Sequence, residues 1–291
     1  MKVIISNKQS FPKYGSIHSI HSFPSVYTDD RRIDIWLPEG FDPSVKHAVL
    51  YMHDGQNLFN PAMGFHGQIW AVDAALQPLI YQSRVKPTIV VAIWNTMKRY
   101  QEYLPVPAFE LLPGDLREHI RDEHNNPELQ PMSDGYLSFI VKELKPYIDE
   151  SYPTLPEAVN TTIMGSSMGG LISIYAITLY PEIFGNAGCV STHWPLSLHL
   201  NDLHFSLPFI HWLEENLPNP ADHRLYFDFG TETIDTYYEM HQVEVDKILR
   251  KAGYQEGKNW ITIKDQGATH SEEAWKNRVH MPLEFLQRSS N

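Results

Sequence analysis

Residues Asn160–Gly170 read Asn-Thr-Thr-Ile-Met-Gly-Ser-Ser-Met-Gly-Gly. A Gly-x-Ser-x-Gly pattern sits there between a β-branched, apolar run and a small-residue stretch of helical character. A serine held on a sharp strand-to-helix turn presents its Oγ clear of the sheet, where it can attack a carbonyl carbon. Small residues two positions to either side let strand and helix approach one another. That spacing selects between adjacent serines: Ser167 is flanked by Gly165 and Gly169, whereas Ser166 would be flanked by Met164 and Met168. A Gly/Ser cluster by itself usually marks a turn. Ser167 is therefore a nucleophile only if the rest of the chain supplies a base, an acid and donors for an oxyanion.

A serine hydroxyl needs an adjacent general base, usually histidine, itself oriented by a carboxylate. Behind a strand–turn–helix nucleophile the order along the chain is serine, acid, histidine. Of the 15 histidines, His270 lies in the loop Gln266–Ser271 that follows the last expected strand, whereas His280 falls in a helix-like stretch. His270 is the favoured base. The loop after the preceding strand, Gly230–Asp235, offers two carboxylates. Asp235 is favoured over Glu232, and the one not used could cap the helix starting nearby. The oxyanion needs two main-chain N–H groups. Met168, next after the nucleophile, offers one; the loop His53–Asn57 offers the other, with Gln56 ahead of Gly55. Taken alone, Asp54-Gly55 reads as a plain turn.

These loops need strands and helices to carry them. Arg32–Leu37, His47–Met52, Thr88–Trp94, Thr161–Met164, Asn186–Ser191, Leu225–Phe229 and Trp260–Lys264 read as strands. Helical spacing appears over Trp70–Ile80, Ser133–Ile148, Gly170–Tyr180, Phe209–Glu215 and Tyr238–Lys251. Alternating strands and helices predict an α/β fold with a mostly parallel sheet of about eight strands and helices on both faces, in one domain over residues 1–291. Two long insertions, near 104–132 and 195–223, follow strand ends and are expected to be lid-like walls of the site. Asn95, Arg99, Tyr103, His193 and Trp194 also follow strand ends and are candidate substrate-binding residues. The plainer alternative makes Arg99 a surface charge and Trp194 core packing.

Composition narrows the partners. With 23 Lys+Arg against 35 Asp+Glu the net charge is −12, which disfavours nucleic acid and anionic membranes. Cys189 is the only cysteine, so intrachain disulfides and cysteine metal sites are excluded, and its apolar neighbours suggest a buried thiol. Met1–Tyr14 carries lysines and no long apolar run, so no signal peptide is expected, and no stretch approaches a membrane span. A cytoplasmic protein follows. His18 and His21 are close in sequence, as are His193, His199 and His204, but the spacing of a tetrahedral metal site is missing. No metal and no cofactor is expected; the oligomeric state is not legible.

The segments Tyr51–Phe59, Trp70–Asp73, Met164–Gly170, Asp228–Glu232 and Thr269–Trp275 together resemble the "putative esterase" branch of the α/β-hydrolases. That branch includes siderophore, feruloyl and acetylxylan esterases, S-formylglutathione hydrolases and mycolyltransferases. The resemblance runs from about Arg31 to the C-terminus. It implies the α/β-hydrolase fold and a carboxylic-ester hydrolase of small-molecule esters that uses Ser167, His270 and an acid at Asp235 or Glu232. Acyl transfer to a sugar or lipid alcohol would use the same residues, and a hydrolase fold that only binds its ligand is the reading from another class.

Overall fold

The computed structural model describes residues 11–288 and the backbone of Val3–Ser6. Residues 1–2 and 7–10, part of the N-terminal stretch read above for a leader, lie outside the described residues. Nine strands form one sheet: β1 (Val3–Ser6), β2 (Ser16–Phe23), β3 (Arg31–Leu37), β4 (Ala48–Met52), β5 (Thr88–Ile93), β6 (Thr161–Ser166), β7 (Asn186–Val190), β8 (Arg224–Gly230) and β9 (Trp260–Asp265). Their order is β1-β2-β3-β5-β4-β6-β7-β8-β9. The first three run as antiparallel neighbours and join β5 antiparallel, while β4 to β9 are mutually parallel.

The sheet is covered on both faces because its parallel strands are apolar at successive positions. Val49, Tyr51, Val91, Ile163, Cys189 and Phe227 point into one buried cluster. Their chain neighbours Leu50, Met52, Val90, Ala92, Met164, Val190 and Tyr226 point into another. The first face packs helices that include Met168–Leu179 and Tyr238–Lys251; the second packs Val72–Tyr81 and His280–Gln287. Met168–Leu179 is apolar all round and buried from Met168 to Thr178, as a helix lodged between sheet and outer helices must be.

The strands read from sequence are present within a residue or two of their expected ends. The N-terminal pair β1 and β2 was not anticipated. A register shift between Ile20 and Phe23 interrupts the two-residue alternation on β2, and such a bulge hides a strand from pattern reading. The insertions are not open loops. Residues 104–132 fold into helices Val106–Glu110 and Gly114–Glu123, and residues 195–223 contain the helix Leu207–Asn216. The two pack on one another, Ser197 Oγ donating to Glu123 Oε1 at 2.6 Å and His119 meeting the Phe205 ring. Among the described residues, no helix is long and apolar enough to cross a membrane.

The loops that leave β4, β5, β6, β7, β8 and β9 gather at one edge of the sheet, the carboxyl edge, where open α/β sheets place ligands. The approach of β6 to the helix Met168–Leu179 is the tightest constraint there. A Cβ on Gly165 would lie 3.0 Å from both the Gly169 backbone and His53 Cδ2, whereas a Cβ on Gly169 would meet nothing closer than 3.5 Å. Gly165→Ala should therefore lower stability by about 1–3 kcal/mol, read as a drop in the urea midpoint at unchanged slope. Gly169→Ala, in a helix, should cost much less. Equal effects at the two positions would contradict this account.

Candidate active site

Strand β6 ends at Ser166, and the chain turns at the next residue. Ser167 holds φ 59° and ψ −122°, and the helix begins at Met168. A non-glycine residue in such a conformation costs about 1–3 kcal/mol, so its surroundings must hold it. The Ser167 N–H donates to the Val190 carbonyl at 2.9 Å. Its own carbonyl accepts from Gly170 (3.0 Å), Leu171 (3.2 Å) and His193 (3.2 Å). Among the described residues, the main-chain N–H groups of Met168 and Gln56 donate to no main-chain carbonyl. Gly55 is pressed onto the Ala92–Ile93 backbone of β5, where a Cβ would come within 2.7 Å of Ala92.

His270 meets Asp235 across 2.5 Å, Nδ1 to Oδ1. Asp235 is 1% exposed, and its other oxygen accepts from Ser191 Oγ at 2.7 Å and Gly230 N at 2.6 Å. Burial pushes the Asp235 carboxyl up, but the hydrogen bond and charge of His270, with Ser191 and Gly230, bring it below the usual carboxylate range. A carboxylate only accepts, so Nδ1 carries the hydrogen and Nε2 is left as the basic nitrogen. Glu232 is exposed and makes no bond to the imidazole. Of the two carboxylates, Asp235 is the one that meets the imidazole.

A further layer supports the acid. The Ser191 hydroxyl accepts from Arg278 at 2.8 Å and from Trp275 Nε1 at 3.0 Å while it donates to Asp235. Arg278 also pairs with the buried Asp228 at 3.0 Å. Beside Ser167, the Tyr238 hydroxyl meets His193 Nδ1 at 2.9 Å and contacts the Ser167 side chain.

Ser167 and His270 share a cleft of about 480 Å³. Asn95, Arg99 and Gln56 line it, as expected, and so do Asp54, Asn57, Met63, Phe65, Glu272 and Trp275. Arg99 grips Asp54 with two bonds of 2.7 Å, and Asn95 Nδ2 adds a third at 2.6 Å. Burial would raise the Asp54 carboxyl, but the charge and bonds of Arg99 hold it below its ordinary value. Tyr103, His193 and Trp194 do not line the cleft; all three are buried. Tyr103 accepts from the Asp54 N–H beneath the loop, His193 backs Tyr238, and Trp194 donates to Gln242 in the core. Neither insertion supplies any of the lining residues named here, because the insertions are engaged with one another.

A family model described as "Putative esterase" matches residues 25–290. The chain belongs to this esterase family. A Bacillus subtilis (strain 168) protein named "Uncharacterized protein YbbA" is 25% identical over 269 residues, spanning 88% of this chain and 92% of that protein. Among solved structures, the BES protein from Bacillus cereus aligns with a TM-score of 0.67 at 15% identity, covering 99% of this chain and 100% of that one. The enterobactin esterase FES from Shigella flexneri aligns at 0.66 and 18% identity over 94% of this chain; the chain spans only 60% of that protein. A ferulic acid esterase from Anaeromyces mucronatus aligns at 0.62 and 19% identity, over 97% and 93% of the two chains. At these identities the structural likeness is one of fold.

Two of the esterase's buried histidines test how the site is built. Burial, with nearby positive groups, lowers His53 and His193 to a pKa of about 3. An unfolded histidine takes its proton below about pH 6.5. The unfolded chain thus binds more protons than the native one between those values, and stability falls as pH drops from about 6.5. Each histidine contributes at most about 1.4 kcal/mol per pH unit. His193→Asn should flatten the dependence of unfolding free energy on pH between pH 5 and 6, measured by urea titration. An unchanged slope would show that His193 is protonated in the native protein.

Proposed function

We propose that this esterase cleaves small-molecule carboxylic esters through an acyl-enzyme on Ser167, with His270 as general base. The observation that carries the reading is the 2.5 Å His270–Asp235 bond in the same cleft as a serine held at φ 59° on a strand-to-helix turn. Ser167 Oγ attacks the ester carbonyl as His270 Nε2 takes its proton. The oxyanion lies between the main-chain N–H groups of Met168 and Gln56, which have no competing carbonyl partner. Such donors are worth roughly 3 kcal/mol each. Collapse expels the alcohol, which leaves with the proton from His270. Water, deprotonated by His270, then attacks the acyl carbon; the acid departs and Ser167 regains its proton. Asp235 keeps the imidazole in the tautomer both steps need.

Water is the acceptor in preference to a sugar or lipid alcohol because the cleft opens to solvent. Met63 and Phe65 on its rim are 49% and 62% exposed, and transfer requires water to be kept out. Fluorophosphonate should label the wild type and leave Ser167→Ala unlabelled. An unlabelled wild type, or equal labelling of both, would remove the serine mechanism. Asp235→Asn should reduce kcat by about 10⁴ on p-nitrophenyl acetate, while Glu232→Gln stays within about twofold of wild type. The reverse pattern would transfer the acid role to Glu232.

A further inference from the structure

The cleft holds one carboxylate that the mechanism above leaves without a task. Glu272 opens the helix after His270, lines the cleft with Ser167, and is 8% exposed. Its side chain takes one bond from another side chain, Asn57 Nδ2 to Oε1 at 3.2 Å. Apart from its own main-chain N–H, no other donor among the described residues reaches it, and Oε2 takes no side-chain hydrogen bond. A carboxylate largely withdrawn from water keeps a demand for hydrogen bonds, and Glu272 lines the cleft. Arg99 is near enough for its charge to act on Glu272, but its hydrogen bonds go to Asp54 through Nε and one terminal nitrogen. Arg99 is paired with Asp54, and Glu272 is a further carboxylate lining the cleft.

Two aromatic side chains line the same cleft as Glu272. Trp275 lines the cleft one helical turn beyond Glu272. Phe65 stands on the rim, and its main-chain N–H donates at 3.0 Å to the same Asn57 side chain that holds Glu272. Asn57 thus ties the carboxylate and the Phe65 loop to each other. A carboxylate in a cleft that aromatic side chains also line suits an ammonium group, which is attracted by charge and by ring quadrupoles. A chain of net charge −12 also draws cations toward it.

We infer that Glu272 is a specificity-determining residue, selecting esters that carry an ammonium group near the ester bond over their neutral isosteres. The inference rests on the serine-esterase reading, because the ester must be cleaved at Ser167.

The test is kcat/KM on two matched pairs. Choline acetate against 3,3-dimethylbutyl acetate places the ammonium on the alcohol. The p-nitrophenyl esters of trimethylammonioacetate and 3,3-dimethylbutanoate place it on the acyl group. For at least one pair the cationic-to-neutral ratio should fall about tenfold from wild type to Glu272→Gln. Because the readout is a ratio within each protein, a general loss of activity cancels. Ratios unchanged by the substitution, with hydrolysis intact, overturn the inference alone. Both members of each pair left uncleaved by wild type, or esters cleaved equally by Ser167→Ala, overturn the serine reading and this inference with it. Should Glu272→Gln fail to fold, the wild type decides. Tetramethylammonium must then inhibit neutral-ester hydrolysis competitively where tert-butanol does not, and equal inhibition overturns the inference.

Discussion

Everything at the carboxyl edge of the sheet depends on one unfavourable residue, Ser167 at φ 59°. The turn places the serine side chain above the sheet only if β6 and the following helix come together without side chains between them. Gly165 makes that approach possible, since any Cβ there would press on the helix backbone and on His53. The strain is held by bonds from three directions: Val190 on β7, the first turn of the helix, and the His193 N–H. The buried apolar helix Met168–Leu179 supplies the mass of packing that offsets it. Burial of the helix and exposure of the serine are two consequences of the same geometry.

A second constraint is electrical. Asp235 and Asp228 both lie in the interior, linked through the Ser191 hydroxyl and Arg278. Burial raises Asp228 above its ordinary range even with Arg278 beside it, whereas His270, Ser191 and Gly230 hold Asp235 below its own. A buried ion pair such as Arg278–Asp228 adds little net stability, yet breaking one costs several kcal/mol. Its contribution here is position: Ser191 is fixed by Arg278 and Trp275, and so has one hydroxyl hydrogen to give, to Asp235. Asp235 in turn holds the His270 imidazole.

The legible parts were those in which chemistry and periodicity coincide. The glycine spacing picked out Ser167, chain order picked out His270, and the parallel strands announced themselves as apolar runs. Asp235 was favoured over Glu232 only narrowly, because both sit in one loop and the backbone path decides which faces inward. Arg278, Asp228 and Ser191 were missed for a related reason. Their signal is convergence from β7, β8 and a C-terminal helix, which leaves no trace in local spacing. Asn57, Glu272 and Trp275 belonged to segments that carried the family resemblance, yet nothing local assigned them to the cleft. Tyr103, His193 and Trp194 followed strand ends as cleft residues do, but their ring surfaces are more favourably buried than exposed. The insertions likewise bury apolar faces against one another, which competes with covering the cleft.

Three carboxyl groups at the cleft now have three different environments, and environment is what separates their tasks. Asp235 is held low, with His270 on one oxygen and Ser191 and Gly230 on the other. Asp54 is also held low, but by Arg99, so its charge is cancelled and its oxygens are spent on Arg99 and Asn95. Glu272 differs from both: burial, with Asp54 nearby, raises its carboxyl, and it keeps an unfilled oxygen. Saturated carboxylates build a site, whereas an unsaturated one must find its partner elsewhere. Glu272 lines the same space that a substrate reaching Ser167 would fill.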